Sequence, residues 1–368
     1  MKIAYDHQIF TNQKYGGVSR YFLELAENIS KISTNDIHVK IMAPVYKNNY
    51  LYSSVGKFRS VGLRVPDLPK TGRTLKSVNN IISNYLLKNY NPDIIHETYY
   101  SKSVVGPKKI KRVITVYDMI HELFSESFSV NDPTRMYKRV ATSRADHIIC
   151  ISKNTKNDLI EILGVDESKV SVVHLGFELA DTHPSSKRVS SRPFFLFVGS
   201  RRGYKNFKRL VMAYHASINL LKNLDFVCFG GGSFNSEELS FFKELKIPFD
   251  CIRQVSGDDA LLSQYYKNAF FFVYPSLYEG FGIPPLEAMS YGCPVACSNT
   301  SSIPEVVGDA AIMFDPYSIE SMQYSLEKLF LDSNIRDSLI TRGFERIKKY
   351  SWKKCAGETI EIYRKVIA

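Results

Sequence analysis

The chain has 368 residues, of which 44% are hydrophobic and 23% charged, and its formal net charge is +11. This length exceeds the size at which a single hydrophobic core usually divides, so we expect two domains. No apolar stretch approaches the roughly 18–20 residues that span a bilayer. The first ten residues reach a charged Asp6 and lack the apolar core of a signal peptide. We therefore expect a soluble, cytoplasmic protein, and leave open whether it associates with the inner face of the cell membrane.

Short apolar runs alternate with helical stretches in the first half, which is typical of an α/β protein with parallel sheets. Strands are expected at residues 2–6, 39–44, 93–97, 112–118, 147–152 and 170–176. Helices are expected at residues 21–32, 77–90 and 154–165, the last beginning at Ser152 or Asn154.

Two glycines, Gly16 and Gly17, join the first expected strand to the first expected helix. Glycine lets a ligand approach the backbone closely, although any tight turn between a strand and a helix favours it. The loop that contains this pair is therefore a candidate ligand-binding loop, although two glycines alone are weak evidence for ligand binding.

Polar residues stand at the carboxyl ends of two expected strands in the first half. Asp118 ends one of them, with His121 three residues on, and His96 and Glu97 end the other. Ligands bind at the carboxyl ends of the strands in such sheets, so all four are candidates for lining a cleft. Packing in a loop is the alternative for His121, and a helix cap is the alternative for His96 and Glu97.

Positive charge is concentrated in this half. Residues 38–90 contain nine Lys or Arg and one acid, Asp67, and four more basic residues lie within 108–112. Such a surface suits nucleic acid, an anionic membrane or an acidic substrate, and plain solvated surface is the alternative. No zinc-finger spacing or RNA-binding signature supports nucleic acid, so we expect no nucleic-acid partner and leave membrane contact open.

Residues 179–193 are polar, serine-rich and proline-bearing, as in an interdomain linker. Beyond them the α/β pattern restarts, with strands expected at residues 194–200, 225–232, 252–257, 270–276, 294–298 and 310–316. Helices are expected at residues 206–221 and 351–367. We assign residues 1–185 to an N-terminal acceptor-binding domain and residues 190–349 to a C-terminal donor-binding domain.

A basic loop follows the first strand of the second half and contains Arg201, Arg202 and Lys205. A departing diphosphate needs cationic donors because negative charge builds on its bridging oxygen. Lys205 and, less directly, Arg201 are candidates for that role, whereas Arg202 fits a surface residue.

The most informative segment is 276–311, SLYEGFGIPPLEAMSYGCPVACSNTSSIPEVVGDAA, in which Glu279 and Glu287 stand eight residues apart. A strand, a glycine loop and a helix succeed one another here, which directs backbone N–H groups and a helix dipole at one spot that suits phosphate. The two carboxylates can accept hydrogen bonds from sugar or ribose hydroxyls. Together these features predict a nucleotide-sugar pocket.

This segment closely resembles the glutamate-x7-glutamate motif of family 4 glycosyltransferases, which are retaining enzymes of the GT-B fold. The resemblance implies two doubly wound Rossmann-like domains facing a central cleft, with the C-terminal helix at 350–368 crossing back to the first domain. It assigns Lys205 and Arg201 to the diphosphate, although Ser200 stands where the arginine often occurs. It also implies donor contacts from Gly16, Gly17, Ser200, Gly280, Phe281, Gly282, Ile283 and Glu287, and contacts with sugar hydroxyls from Glu279 and Asp118.

One position departs from the family pattern. Many members carry His-Asp at the strand end where this chain has Tyr117-Asp118, so His121 is a candidate replacement for the missing imidazole. Residues 253–256 fall where the family places the nucleobase. The chain has no Asp-x-Asp pair, dinucleotide fingerprint or phosphate-binding Gly-x4-Gly-Lys loop, so we expect no cofactor and no metal requirement.

The resulting interpretation is a retaining hexosyltransferase that uses a nucleoside-diphosphate sugar, with mannose or rhamnose preferred. Its expected acceptor is a glycan or lipid-linked hydroxyl in the synthesis of a bacterial surface polysaccharide such as O-antigen or capsule. The alternatives are a nucleotide-sugar hydrolase or epimerase on the same fold, and a non-catalytic basic binding scaffold.

Overall fold

A computed structural model describes residues 1–33, 36–54, 59–67, 72–178, 189–248 and 250–368. Residues 179–188 of the expected linker lie outside the described residues. The chain forms two compact units: residues 1–122, 129–176 and 350–368 make the first, and residues 123–128 and 177–349 make the second.

The first unit is built on a seven-stranded parallel sheet with strand order β3-β2-β1-β4-β5-β6-β7. Its strands are β1 Lys2–Tyr5, β2 His38–Tyr46, β3 Arg59–Arg64, β4 Ile94–Glu97, β5 Lys111–Val116, β6 His147–Cys150 and β7 Val170–Val172. Its helices are α1 Gln8–Asn12, α2 Gly17–Ile32, α3 Asn49–Ser53, α4 Gly72–Tyr90, α5 Ile120–Leu123 at the boundary between the units, α6 Thr134–Arg144 and α7 Lys153–Leu163. Strands β4 and β6 are buried along their whole length, as expected where helices cover both faces of a parallel sheet.

Helix α7 shows why the local sequence folds as it does. Ser152 is its N-cap, and the Ser152 hydroxyl accepts a hydrogen bond from the Thr155 N–H at 3.1 Å. Gly164 ends the helix in the left-handed conformation, with φ of 65°. Of the two starting residues considered from the sequence, the structure selects Ser152.

The second unit has a six-stranded parallel sheet with strand order β10-β9-β8-β11-β12-β13. Its strands are β8 Phe194–Val198, β9 Asp225–Phe229, β10 Ile252–Val255, β11 Phe271–Tyr274, β12 Val295–Ser298 and β13 Ile312–Phe314. Its helices are α8 Phe207–Ala216, α9 Ile218–Asn223, α10 Ser236–Glu244, α11 Asp259–Asn268, α12 Ile283–Ser290, α13 Ile303–Val307, α14 Ile319–Leu331 and α15 Ser333–Ile347. The stretch expected as one helix at 206–221 is divided because Ser217 caps a new helix through the Leu220 N–H.

The core of the second unit is rich in aromatic side chains. The Phe195 ring stacks on Phe226 at 4.4 Å between centroids and on Phe271 at 5.5 Å, which ties β8 to both of its neighbours. Each ring is fully buried, and burial of a phenylalanine side chain stabilises the fold by about 1.5–3 kcal/mol. The three rings lie near the amino ends of their strands, so this packing holds β9, β8 and β11 side by side below the carboxyl ends from which the site loops leave.

The final helix, α16 Trp352–Ile367, belongs to the first unit and packs against α2. Gly176 lies so close to it that a Cβ there would stand 2.4 Å from the Trp352 ring. Within the described ranges, no helix is at once long enough and apolar enough to cross a bilayer.

Candidate active site

The candidate donor site lies at the point of the second sheet where the strand order reverses. Strands β8 and β11 are neighbours there, and the connections from their carboxyl ends lead to opposite sides of the sheet. Ligands of doubly wound sheets bind at such switch points. The loop after β8 carries Lys205 and the loop after β11 carries Glu279, and Lys205 Nζ lies 2.6 Å from Glu279 Oε1. The structure therefore brings together two residues that are 74 positions apart.

Asn206 fixes the loop that carries Lys205. It adopts a left-handed conformation with φ of 59°, and its side-chain N–H groups donate to the carbonyls of Pro275 at 3.0 Å and Pro316 at 2.7 Å. The N–H of Leu277 donates to the Tyr204 carbonyl at 2.7 Å. These bonds join the ends of three strands, so the loop that carries Lys205 is held in place on both sides of that residue.

Glu279 is 8% exposed and is held from several sides. Its N–H donates to the Ser301 hydroxyl at 3.0 Å, and its carbonyl accepts from the Ser302 hydroxyl at 2.8 Å. Burial, together with the nearby Glu279 carboxylate, raises the pKa of Tyr274 well above its ordinary value, so that this phenol stays protonated. Since the Lys205 ammonium has three N–H groups and the bond to Glu279 uses one, it can also bind an anion.

The glycine loop leads directly into α12. Gly282 is the N-cap with φ of 111°, in a region that favours glycine, and a Cβ there would meet only the Tyr274 ring at 3.7 Å among the described atoms. The next three residues are Ile283, Pro284 and Pro285. Because proline has no N–H, Ile283 is the only one of these three that can donate an amide hydrogen bond. The helix end therefore supplies fewer phosphate donors than the strand-loop-helix pattern suggested.

Glu287 lies on α12, one turn beyond its start, and is half-buried. The Tyr266 hydroxyl donates to Glu287 Oε2 at 3.1 Å. Burial raises the pKa of Tyr266 well above its ordinary range, and the Glu287 carboxylate adds to that effect. The carboxylate of Glu287 is thus kept in a fixed orientation by a neutral phenol.

Arg201 is placed differently from the sequence expectation. Its guanidinium is 4% exposed and forms an ion pair with Glu238 at 2.7 Å. It also donates to the carbonyls of Gly230 at 3.1 Å and Gly232 at 2.9 Å. Because the guanidinium is turned into the protein by these bonds, we revise the expected diphosphate contact: Arg201 braces the glycine-rich loop after β9.

The remaining donor candidates of this unit differ in their exposure. Ser200 is exposed, Phe281 is buried and Ile283 is half-buried. At residues 253–256, Arg253 donates to the Ser190 hydroxyl, and the Gln254 side-chain amide donates to the Ser256 hydroxyl at 2.6 Å. Their expected roles stay predictions.

In the first unit, the glycine loop does not follow β1 directly. Helix α1 stands between them, and Gly16 is the N-cap of α2 while Gly17 is its first residue. A Cβ on Gly16 would lie 2.3 Å from the Gln13 side chain, whereas one on Gly17 would have no described atom within 4 Å. Gly16 is therefore the glycine against which another group, the Gln13 side chain, packs closely, whereas Gly17 is exposed.

Asp118 and His121 are gathered around a lysine that sequence reasoning missed. Lys138 on α6 is completely buried, and its ammonium donates to Glu122 at 2.6 Å and to the Asp118 carbonyl at 2.8 Å. The Asp118 side chain is 30% exposed. His121 Nε2 lies 3.8 Å from Asp132, and burial lowers the pKa of His121, which favours the neutral imidazole.

The expectation that His96 and Glu97 line a cleft is wrong, because both lie inside the first unit. His96 is fully buried and bonds to Tyr363 at 2.6 Å and to Thr115 at 2.9 Å. Glu97 is 2% exposed and pairs with Arg112 at 3.0 Å and with Arg144. Since β4 is buried on both faces, its last residues point into packed protein whichever face they take.

A second polar cluster that the sequence did not reveal lies at the switch point of the first sheet, between β1 and β4. Asp6 is fully buried and accepts hydrogen bonds from the Thr98 N–H at 3.0 Å and the Thr98 hydroxyl at 2.6 Å. Asp6 also accepts from the Gln8 side chain at 2.7 Å. Its position directly after a strand was the available signal.

Tyr117, which stands in place of the family histidine, is buried, and its ring packs edge-on against Tyr21 at 5.7 Å. Burial raises the pKa of Tyr117 well above its ordinary value. In the part of the chain that the structure describes, no group of three or more His, Cys, Asp or Glu side chains is arranged to hold a metal ion.

The two parallel doubly wound sheets define the GT-B fold, which confirms the predicted fold class. The same fold occurs in sucrose-phosphate synthase from Thermosynechococcus elongatus, with a TM-score of 0.74 and 17% identity over 99% of this chain and 98% of that one. Residues 15–181 match the family described as Glycosyltransferase Family 4, and residues 180–346 match that described as Glycosyl transferases group 1. The chain therefore consists of two glycosyltransferase domains, one of family 4 and one of group 1, as the resemblance of its glutamate motif indicated. Membership implies a nucleotide-sugar donor and a glycan acceptor.

Two relatives from Escherichia coli are similar in sequence. O-antigen chain mannosyltransferase B is 26% identical over 72% of this chain and 74% of its own length. The serotype-specific mannosyltransferase WbdA is 28% identical over 76% of this chain but only 38% of its own length. The chain therefore matches most of the first relative and about two fifths of the second.

Proposed function

We propose that this glycosyltransferase moves a hexosyl residue, with mannose or rhamnose preferred, from a nucleoside diphosphate to a hydroxyl group of a glycan or lipid-linked acceptor. The acceptor would belong to a bacterial surface polysaccharide such as O-antigen. The observation that carries the proposal is the 2.6 Å pair of Lys205 and Glu279 at the switch point of the second sheet. The mannosyltransferase names of the two relatives support the preferred sugar.

Each part of the donor has a matching group in this arrangement. The Lys205 ammonium would bind the diphosphate, and the Ile283 N–H and the positive end of the α12 dipole would add to its field. Glu279 would orient sugar hydroxyls while keeping its bond to Lys205. Glu287, held by Tyr266, would accept hydrogen bonds from the ribose hydroxyls.

We propose transfer with retained anomeric configuration by front-face displacement. The bond between the anomeric carbon and the phosphate oxygen breaks while the acceptor oxygen bonds to the same face of that carbon. The proton of the acceptor hydroxyl passes to the departing phosphate oxygen, so atoms and charge balance without a protein nucleophile. Lys205 would stabilise the negative charge on the leaving phosphate. Removal of one such donor typically lowers the reaction rate by about 10²–10³-fold.

In this proposal the diphosphate charge is met by protein groups without a metal. A rate that is unchanged by a chelator would support this part of the proposal. A chelated enzyme that regains activity only with magnesium or manganese would overturn it.

The donor can be identified by thermal shift with a panel of nucleotide sugars that carry mannose, rhamnose, glucose or N-acetylated hexoses, because a ligand that binds only the folded state raises the melting temperature. The best donor would then be incubated in radiolabelled form with lipid-linked saccharide, and the anomeric configuration of the product would be read by NMR. Release of free sugar without transfer would favour a hydrolase. A panel in which no nucleotide binds would favour the non-catalytic scaffold.

A further inference from the structure

Helix α4 of the first unit has one face that is firmly anchored to the sheet. Asn79 is fully buried, and its side chain bonds to both the N–H and the carbonyl of Val45 at 2.8 Å and 2.7 Å. Ser83 and Leu87, one and two turns further on, are also fully buried. These contacts fix which side of the helix faces outward.

The outward side carries large apolar side chains. Ile81 is 72% exposed and Tyr85 is 67% exposed, and Val78 and Ile82 are exposed by 37% and 38%. Their spacing of three, four and seven residues places them in one stripe along the helix. Single exposed apolar residues are common on protein surfaces, but a continuous stripe of four indicates a surface that binds an apolar partner.

Basic side chains border this stripe. Lys88 is exposed on the same helix, and the Gly106 N–H donates to the Asn84 side chain at 2.7 Å, which places the loop with exposed Lys108 and Lys109 beside the second half of α4. At the end of the helix, the Lys40 ammonium lies 5.1 Å from the centre of the Tyr90 ring. Residues 72–90 contain no Asp or Glu.

We propose that the outer face of α4, defined by Val78, Ile81, Ile82 and Tyr85 with its border of Lys88, Lys108 and Lys109, docks on an anionic lipid bilayer. An apolar stripe flanked by lysines is what an interfacial helix presents to acyl chains and anionic headgroups. A second copy of this chain is a poorer occupant, because a symmetric pairing would bring the same lysines of both copies together.

The inference rests on the proposed function, whose acceptors include lipid-linked saccharides, and deepens it by assigning the surface that would meet the membrane. Its test does not involve sugar transfer. Vesicle binding can fail while transfer to a soluble acceptor analogue persists, and the reverse can also occur, so the two proposals fail separately.

The test is co-sedimentation of the full chain with vesicles of phosphatidylcholine alone and of phosphatidylcholine mixed with phosphatidylglycerol. We expect binding to the anionic vesicles only, weakened by added salt. The triple variant Lys88→Gln/Lys108→Gln/Lys109→Gln should bind roughly a hundredfold more weakly, since each lysine near a charged surface contributes about fivefold.

The apolar part is tested with the double variant Ile81→Ser/Tyr85→Ser, which should bind about tenfold more weakly. Its matched control is Tyr324→Ser/Leu331→Ser, which removes residues exposed by 66% and 67% in the second unit and should bind as the unchanged chain does. Circular dichroism on each variant checks that α4 is still folded.

Three results would overturn the proposal. They are equal binding to both kinds of vesicle, no loss of binding in either α4 variant, and a dimer in gel filtration that Ile81→Ser/Tyr85→Ser dissociates. The last result would show that a second copy covers this face.

Discussion

The hydroxyl oxygen of Tyr363 lies 2.6 Å from Nδ1 of His96, so the last helix of the chain is bonded to the central strand of the first sheet. The other ring nitrogen of His96 lies 2.9 Å from the Thr115 hydroxyl on β5. The Tyr363 hydroxyl also donates to the Tyr5 hydroxyl at 3.2 Å. One imidazole thus connects four separate elements through a buried polar chain.

This burial makes the stability of the first unit depend on pH. Burial lowers the pKa of His96 to about 3 from its ordinary value of 6.5, so the unfolded chain binds a proton below pH 6.5 that the folded chain does not. The free energy of unfolding should therefore fall as pH decreases from about 6.5 towards 3, with a slope of up to about 1.4 kcal/mol per pH unit from this residue. Urea denaturation across this range should show a shallower slope for His96→Gln than for the unchanged chain. An equal slope in His96→Gln would contradict the role assigned to His96.

Lys205→Ala should lower kcat by about 10²–10³, because the ammonium would stabilise charge that develops on the leaving phosphate. Lys208 is a matched control three residues further on, since it forms an ion pair with Glu237 at 2.6 Å in which both side chains are more than half exposed. Steady-state kinetics should show nearly unchanged kcat for Lys208→Ala. If both variants turn over at the rate of the unchanged enzyme, the diphosphate lies elsewhere.

Glu287→Ala should mainly weaken donor binding, because its carboxylate would contact the ribose rather than the reacting centre. Loss of hydrogen bonds from two hydroxyls to one carboxylate should raise the donor Kd by about tenfold to a hundredfold, as measured by isothermal titration calorimetry. Glu345→Ala serves as the control, since Glu345 is exposed and pairs only with Lys348 within the described residues. A fall in kcat at unchanged Kd would instead place Glu287 at the reacting bond.

Arg201→Ala should lower the free energy of unfolding by about 3–5 kcal/mol, since it leaves the Glu238 carboxylate in a buried pair without its partner. The double variant Arg201→Met/Glu238→Gln should recover part of that loss. Urea denaturation measures both, and Arg202→Ala, which removes an exposed arginine beside it, should have little effect. Unchanged stability with a large loss of kcat in Arg201→Ala would restore a direct diphosphate contact.

Gly282→Ala tests the turn that begins α12. The added Cβ has room, so the cost of about 1–3 kcal/mol comes from holding alanine at φ of 111°. Donor affinity should fall with it, because the Ile283 N–H follows directly. Gly357→Ala is the control within α16, where the helical backbone suits alanine and stability should rise by about 0.5–1 kcal/mol. A Gly282→Ala protein that matches the unchanged chain in stability and donor Kd would show that this turn is not constrained.

The apolar runs predicted most strands because central parallel strands are buried on both faces. The edge strand β3 and helix α6 were missed, since RSVGLR and TRMYKRVATSR carry no clear apolar period. The position of Lys138 could not be foreseen, because a lysine on a polar helix is ordinarily solvated and only the tertiary arrangement of Glu122 and Asp118 makes its burial favourable.

The glutamate motif predicted the site loop because its residues are consecutive, so local sequence contains the geometry. The pairing of Lys205 with Glu279 depends on two strands that are adjacent in the sheet but distant in sequence. Residue spacing could not predict that these two residues share a site, whereas the family resemblance assigned both of them to the donor. Arg201 shows the limit of that approach. A basic residue in a phosphate-binding loop and one that braces a neighbouring loop have the same sequence signature, and Glu238 decides between them only in three dimensions.

The membership of α16 in the first unit imposes an order on biosynthesis. A ribosome that makes this chain delivers the whole second unit before Trp352 emerges, so the first sheet waits for its covering helix while the later domain is already able to fold. Until Tyr363 arrives, the imidazole of His96 lacks that partner and is open to water and to protons. The nascent first unit should therefore be the part of the newborn chain most dependent on chaperones.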